Sequence, residues 1–192
     1  RLAIEGIKER QEWEMINHDH FGLLNQIDPV MHVPTRMGPP TPDDFDEMLS
    51  RVWKKPAFFL AHPRAIAAFG RECTRRGVPP VVIQMFGSPF ITWRGIPLVP
   101  CNKLEVRGAH GDVGTTNILL MRVGEQEQGV VGLHQTGIPG EQMPSLSVRF
   151  MGVNPKAVSS YLVTLYVAAA VLTEDAIGVL ENVEVGFYHE YE

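Results

Sequence analysis

Charged and apolar residues are interleaved from Leu2 to about His18, where Ile4 and Ile7 belong to one narrow apolar stripe. This pattern predicts a helix that packs along one edge and is solvated elsewhere, because burial of a whole face requires a wider stripe. Gly22 ends the pattern, and the four prolines of 26–40 predict an extended or turning segment after it.

A second helix has a well-marked predicted start. Thr41 is a favoured N-cap residue, Pro42 suits the first helical position, and Asp43 and Asp44 face the positive end of the helix dipole. We expect this helix to run to about Trp53.

The middle of the chain alternates between strand and helix patterns. A buried strand is predicted at Ala57–Ala61 and a helix from Pro63 to Gly77, which indicates a mixed α/β lobe. Short apolar segments broken by Gly and Pro predict short strands from Val81 to Leu104. Two further apolar runs, Asn117–Val123 and Gln128–Leu133, flank a turn and predict a hairpin.

Apolar residues dominate the C-terminal third. Strict alternation over Ser145–Phe150 predicts a half-buried strand, and Ala176–Val185 predicts a helical turn followed by a strand. Asn154 and Pro155 predict the cap of a helix through Leu172 whose second half is apolar nearly all round. Such a helix needs cover on every side, and we expect part of it from another copy of the chain. The candidate subunit-interface residues are Tyr161, Leu162, Leu165 and Tyr166.

Composition narrows the function classes. The chain has 192 residues, with 17 Lys and Arg against 22 Asp and Glu, a formal net charge of −5, and 44% hydrophobic residues. This apolar content argues against disorder, and the net negative charge disfavours nucleic acid as a partner. The longest strongly apolar run, Tyr161–Leu172, is shorter than the roughly 20 residues that cross a bilayer, so no membrane insertion is expected. The charged first residues lack the apolar core of a signal peptide, so the sequence gives no support for export.

Few residues combine into a recognisable reactive site. Glu14 and His18 are spaced for one helix face, with His20 nearby, but no second Glu-x-x-His helix completes a dinuclear metal site. Cys73 with His62 is the one local pairing of a thiol with a base. Three neighbouring arginines would lower the thiol pKa, yet they equally compensate the end of a helix dipole.

Hydrolase, zincin and nucleotide-binding motifs are missing from the sequence. We therefore expect no catalytic residue, cofactor or metal, and two unrelated cysteines predict a reduced compartment. One alternative stays open at this point. A small cytosolic enzyme would use Glu14, His18 and His20, or Cys73, in a cleft between two lobes.

Longer strings carry a resemblance that spans nearly the whole chain. These strings are Ile4–Glu14 (IEGIKERQEWE), Trp53–Pro63 (WKKPAFFLAHP), Arg122–Glu125 (RVGE), Gln128–Leu133 (QGVVGL), Pro144–Gly152 (PSLSVRFMG) and Tyr161–Tyr166 (YLVTLY). Together they resemble the family 2 encapsulin shell proteins, some of which have carried the name major membrane protein I.

The resemblance implies an α+β fold of the phage major-capsid type, in which a spine helix and a peripheral (P) domain support an axial (A) domain. On this chain it implies a spine helix at 1–24, an axial domain at 25–142 and the returning part of the peripheral domain at 143–192. Family members carry an N-terminal arm and an E-loop before the spine helix, and these residues do not include them. Whether the chain clasps its neighbours without those parts is left open.

The resemblance also implies a function. Family members are structural shell proteins that self-assemble in the cytoplasm into an icosahedral, virus-like nanocompartment around a cargo enzyme. In the best-known branch the cargo is a cysteine desulfurase, which links the shell to sulfur metabolism. A loop with Arg107, His110 and Asp112 is the candidate pore lining. A capsid protein of an integrated phage would share this fold and is the second alternative.

Overall fold

Helices dominate the first 75 residues of the chain and strands the remainder. The computed structural model describes residues 2–108, 113–188 and 190. In those ranges the helices are α1 (Leu2–Asn17), α2 (Pro42–Arg51) and α3 (Pro63–Arg75), with short 3-10 turns at Leu23–Asn25, Pro29–Met31 and Glu174–Ala176. The strands are β1 (His32–Pro34), β2 (Phe58–Ala61), β3 (Val81–Met85), β4 (Ser88–Trp93), β5 (Ile96–Pro100), β6 (Thr115–Met121), β7 (Val130–His134), β8 (Glu141–Met143), β9 (Leu146–Val153), β10 (Ser159–Leu165), β11 (Val167–Val171) and β12 (Ile177–Glu184).

Contacts divide the chain into two units. Unit 1 consists of Arg1–Gln26 and Gly132–Ala170, and unit 2 of Ile27–Val131 and Val171–Glu192. The last strand, β12, therefore belongs with the middle of the chain, because it pairs with β1 and β6. The sequence-based division at 24 and 142 into axial and peripheral domains stays a prediction.

Unit 2 is built on a seven-stranded mixed sheet in the order β1-β12-β6-β2-β5-β4-β3. The middle strands are buried on both faces, with Phe59, Leu119 and Leu180 fully inaccessible. Helices α2 and α3 contribute to this core through Phe45 and Phe69, whose rings stack at a centroid distance of 4.0 Å. The strands and helices predicted from 41 to 100 are confirmed.

Helix α2 starts as the sequence predicts. The Thr41 hydroxyl accepts a hydrogen bond from the Asp44 backbone N–H at 3.3 Å, and the Asp44 carboxylate accepts one from the Thr41 N–H at 2.9 Å. This reciprocal capping box satisfies two backbone donors at the helix start. Arg36 also donates to Asp44, at 3.1 Å, and so attaches the preceding proline-rich segment to the helix.

Unit 1 contains α1 and a three-stranded antiparallel sheet in the order β10-β9-β8. Helix α1 confirms the predicted N-terminal helix. Its one narrow stripe leaves most side chains exposed or half-buried. Of the α1 residues whose burial the structure describes, Ile16 alone is buried. Among the described residues, no helix is both long and apolar enough to cross a membrane.

The predicted helix from Asn154 to Leu172 is wrong, because this segment forms β10 and β11. The Asn154 side chain accepts hydrogen bonds from the N–H groups of Lys156 and Val158, both at 3.0 Å, and organises the tight turn between β9 and β10. An Asn side chain caps a helix by the same kind of bond, so the local signal fits both structures.

The predicted hairpin between 117 and 133 is also wrong. Strand β6 pairs with β2 and β12 inside the large sheet, whereas β7 pairs with β11. Consecutive residues of β6, Ile118 to Leu120, are fully buried on both faces. Both hydrogen-bonding edges of β6 are occupied, one by β2 and one by β12, so β7 pairs elsewhere.

A buried arginine joins β6 to the segment before β12. Arg122 is 2% exposed, and its Nη2 donates to Thr173 Oγ1 and to Asp175 Oδ1, both at 2.8 Å. Lys54 Nζ lies 3.0 Å from the other carboxylate oxygen of Asp175. The hydrogen bond from Arg122, followed by that from Lys54, holds the pKa of Asp175 well below its usual range.

This cluster predicts a pH dependence of stability. The folded chain binds a proton at Asp175 less readily than the unfolded chain, so the carboxylate stabilises the fold fully above the ordinary pKa of about 3.9 and progressively less as the pH falls below it. We expect the stability difference between the unaltered protein and Asp175→Asn to be largest near pH 6 and to shrink towards pH 3. Urea unfolding at both pH values measures it. Asp19→Asn, at an exposed carboxylate, is the control, and a difference independent of pH would contradict the prediction.

Candidate subunit-contact surfaces

Two stretches of the sequence contain no Asp, Glu, Lys, Arg or His for 17 consecutive residues, namely 77–93 and 157–173. No other stretch of the chain is uncharged for as long. Both stretches form strands, and both carry large apolar side chains that are exposed to solvent. Exposed apolar side chains that cluster together mark surfaces that bind another molecule.

The second stretch forms β10, which pairs with β9 as a hairpin in unit 1, and then β11. Tyr161 lies directly opposite Phe150, with ring centroids 5.5 Å apart in an edge-to-face arrangement. Tyr161 is nevertheless 63% exposed and Phe150 58% exposed. We call the exposed apolar end of this hairpin the hairpin patch; its members are Phe150, Met151, Val153, Val158, Tyr161 and Leu162.

The hairpin patch continues an apolar face that is covered at its other end. Tyr161, Val163 and Leu165 alternate along β10 and share one face of the sheet. Leu165 and its partner Leu146 line a cavity of about 270 Å³ together with residues of α1. The helix therefore covers the Leu165 end of this face in unit 1, and the Tyr161 end has no cover from the described residues.

The four candidate interface residues lie at different depths. Tyr161, Leu162 and Tyr166 are exposed, whereas Leu165 is half-buried beside the α1 cavity. The expectation of uncovered apolar surface came from a helix that does not form, yet the same uncharged run remains exposed as strands. Their role at a subunit interface stays a prediction. Sequence reasoning missed Phe150 and Met151, although Phe150 stands at a regularly alternating position of β9.

The candidate pore loop is described only in part. Arg107 is exposed and exchanges two backbone hydrogen bonds with Thr115, at 2.6 and 2.7 Å. These two hydrogen bonds hold Arg107 and Thr115, which flank the loop, next to each other. His110 and Asp112 lie outside the described residues.

The residues of the enzyme alternative do not form a reactive site. His18 Nε2 lies 4.0 Å from Glu14 Oε2, and the His18 ring stacks on Phe21 at 3.8 Å. Within 2–108, 113–188 and 190, no group of three or more His, Cys, Asp or Glu residues is arranged to hold a metal ion.

The thiol of the same alternative is not activated. Cys73 is fully inaccessible, and burial raises its pKa to about 11, an effect that outweighs the opposing influence of Arg76. His62 caps α3 by accepting the Arg64 N–H at its Nδ1, and burial lowers the pKa of its imidazole. A catalytic thiol requires a lowered pKa and access to substrate, so Cys73 is a core residue.

An α+β chain with exposed uncharged surfaces on both units is typical of a structural subunit that other copies complete. The family described as Type 2A encapsulin shell protein SrpI-like matches residues 1–187, and the chain belongs to this family.

Relatives agree with this assignment. The chain is 63% identical over 191 residues to the type 2A encapsulin shell protein SrpI of Synechococcus elongatus and 58% identical to the type 2A encapsulin shell protein of Mycobacterium leprae. Each match covers 100% of this chain and 61% of the relative, so the chain spans about three fifths of their length. These relatives are named as shell proteins and not as enzymes, in agreement with the expectation of a structural role.

A solved structure confirms the fold. The cryo-electron microscopy structure of the holo-SrpI encapsulin complex from Synechococcus elongatus superposes with a TM-score of 0.95 at 62% identity, covering 100% of this chain and 67% of that chain. The expected α+β encapsulin fold is therefore confirmed.

Proposed function

We propose that copies of this chain assemble into a closed icosahedral shell, an encapsulin nanocompartment, that encloses a cargo enzyme. The observation that carries the proposal is the hairpin patch, an exposed apolar surface in a member of a family named for its shells. Each square ångström of apolar surface removed from water contributes about 25 cal/mol, and a closed shell repeats that contribution at every copy.

The distribution of charge supports the proposal that other copies of the chain cover these apolar surfaces. These 192 residues carry a formal net charge of −5, so this part of one copy repels the same part of another at long range. Contact through uncharged stretches avoids placing like charges opposite each other and avoids the desolvation of buried ions. Half of the hairpin patch, Val158, Tyr161 and Leu162, lies in such a stretch.

The domain roles follow from the resemblance. We assign α1 to the spine helix and the hairpin β9–β10 to the peripheral domain, within the spans 1–24 and 143–192. The span 25–142 supplies most of the axial domain, and we add β12 to it because β12 pairs within the same sheet. The loop that contains Arg107, His110 and Asp112 is our candidate for a pore lining.

The cargo and the location are the part of the proposal that rests on the family resemblance alone. A cysteine desulfurase inside the shell would place the particle in sulfur metabolism or storage, in the bacterial cytoplasm. This part is tested by purifying particles from the native host and assaying them for alanine release from cysteine, with mass spectrometry of the contents. Particles that hold another enzyme would contradict the cargo assignment and leave the shell intact.

Assembly itself is tested on the full-length protein. We expect sedimentation as a megadalton species and hollow spheres in negative-stain electron micrographs. A discrete monomer or dimer at micromolar concentration would overturn the proposal. A portal or terminase gene beside the coding gene would favour a phage capsid instead.

A further inference from the structure

The two edges of the unit 2 sheet differ in their protection against pairing with another strand. Strand β1, at one edge, has three residues and ends in Pro34, which has no N–H to offer. Strand β3, at the other edge, has the sequence Val-Val-Ile-Gln-Met, with no charge and no proline. Edge strands of soluble proteins are normally blunted by charges, prolines or bulges, so β3 is an open edge.

The surface around β3 is apolar as well as uncharged. Val81 and Val82 are 67% and 56% exposed, and Phe86, at the tip of the β3–β4 hairpin, is 91% exposed. All three lie within the uncharged stretch 77–93. An aromatic side chain so exposed at a hairpin tip contributes nothing to the core of unit 2.

Hairpin geometry shows which backbone groups are free. Phe86 and Gly87 both have positive φ, of 52° and 77°, as a two-residue turn of type I′ requires. In such a hairpin the flanking pair, Met85 and Ser88, is hydrogen-bonded, and the next pair, Gln84 and Pro89, is not. Pro89 fits that position because no N–H is needed there.

The alternation continues along β3. Val82 belongs to the other non-hydrogen-bonded pair, opposite Ile91. The N–H and C=O groups of Val82 and Gln84 therefore face away from β4, and in the part of the chain that the structure describes β3 pairs with β4 alone. Two donors and two acceptors are available along one uncharged edge.

We propose that the open edge of β3 pairs, by backbone hydrogen bonds, with a strand of a second copy of this chain, and that Phe86 is buried in that contact. This inference rests on the proposed shell function, which supplies copies at high local concentration. A second copy is the favoured occupant because a shell holds copies side by side, and contact through the uncharged stretch 77–93 places no like charges of the two copies opposite each other. Main-chain pairing gives affinity without opposite charges on the partner.

Lysines on the edge test the proposal. In the full-length protein, Val82→Lys with Gln84→Lys adds two like charges at the positions that face the partner, and we expect loss of assembled particles by about tenfold or more. The matched control is Val30→Lys with Met37→Lys, which adds the same charge at two residues that are also exposed in unit 2. Equal loss in both double variants, or loss in neither, overturns the proposal. Circular dichroism establishes that each variant is folded.

Hydrogen exchange on the unaltered protein provides a measurement that needs no substitution. We expect the amides of Val82 and Gln84 to exchange about tenfold or more slowly in assembled particles than in dissociated single copies. Equal exchange in the two states overturns this inference while leaving the shell proposal standing. Slow exchange already in single copies also overturns it, because the cover would then come from the same chain. Failure of the unaltered protein to form particles overturns both.

Discussion

Replacing Tyr161 with Lys is expected to reduce the yield of assembled particles by about tenfold or more while the chain remains folded. Tyr161 is 63% exposed in the single chain, so its replacement costs little there. In a copy-to-copy contact the same change removes an aromatic anchor and buries an unpaired charge. A shell multiplies the loss, because every copy carries it.

Three variants separate the causes of such a loss. Tyr161→Phe keeps the ring and its edge-to-face contact with Phe150, and we expect near-normal particle yield from it. Val30→Lys adds an equal charge at an exposed apolar residue of unit 2 and should also assemble. Particle yield is measured by sedimentation and counted in electron micrographs. Normal assembly of Tyr161→Lys would remove the hairpin patch from the list of subunit contacts.

Replacing Phe45 with Ala is expected to lower the free energy of unfolding by about 3–5 kcal/mol. Phe45 is fully buried between α2, α3 and the sheet, with ring centroids 4.0 Å from Phe69 and 4.6 Å from Phe59. Its removal leaves a cavity bounded by two other aromatic rings that pack too rigidly to fill it.

Urea unfolding of the dissociated protein measures this loss. Phe45→Leu, which leaves a smaller cavity, should be less destabilising than Phe45→Ala, and this order distinguishes a packing effect from a general defect. A loss below about 1 kcal/mol for Phe45→Ala would mean that the aromatic cluster is not the core of unit 2.

Much of unit 2 is predictable from local signals. Thr41, Pro42 and Asp44 mark the start of α2 by cap chemistry that depends on neighbouring residues alone, and Gly77 correctly marks the end of α3. The short strands between 81 and 100 follow from runs of apolar residues bounded by turn residues. These signals are reliable because every interaction they describe is made within a few residues.

The segment after Asn154 shows that local signals do not always distinguish a helix from a strand. Asn154 accepts backbone hydrogen bonds from residues two and four positions later, which suits a tight strand connection as well as a helix start. The following run has no charge to reveal a period of 2 or 3.6, so an apolar helix and an apolar strand predict the same pattern. Pairing with β9 settles the outcome, and β9 is specified by residues outside the run.

The candidate subunit-contact surfaces are likewise determined partly by the sequence and partly by the tertiary structure. The order of residues along the chain is enough to identify the encapsulin shell family, the α+β class and the run Tyr161–Tyr166 as apolar surface in need of cover. Three-dimensional pairing alone brings Phe150 beside Tyr161, places Leu165 half-buried beside α1 and leaves β3 as an open edge. Burial depends on which distant strand occupies the neighbouring position, and that contact is long-range, whereas composition and capping are local.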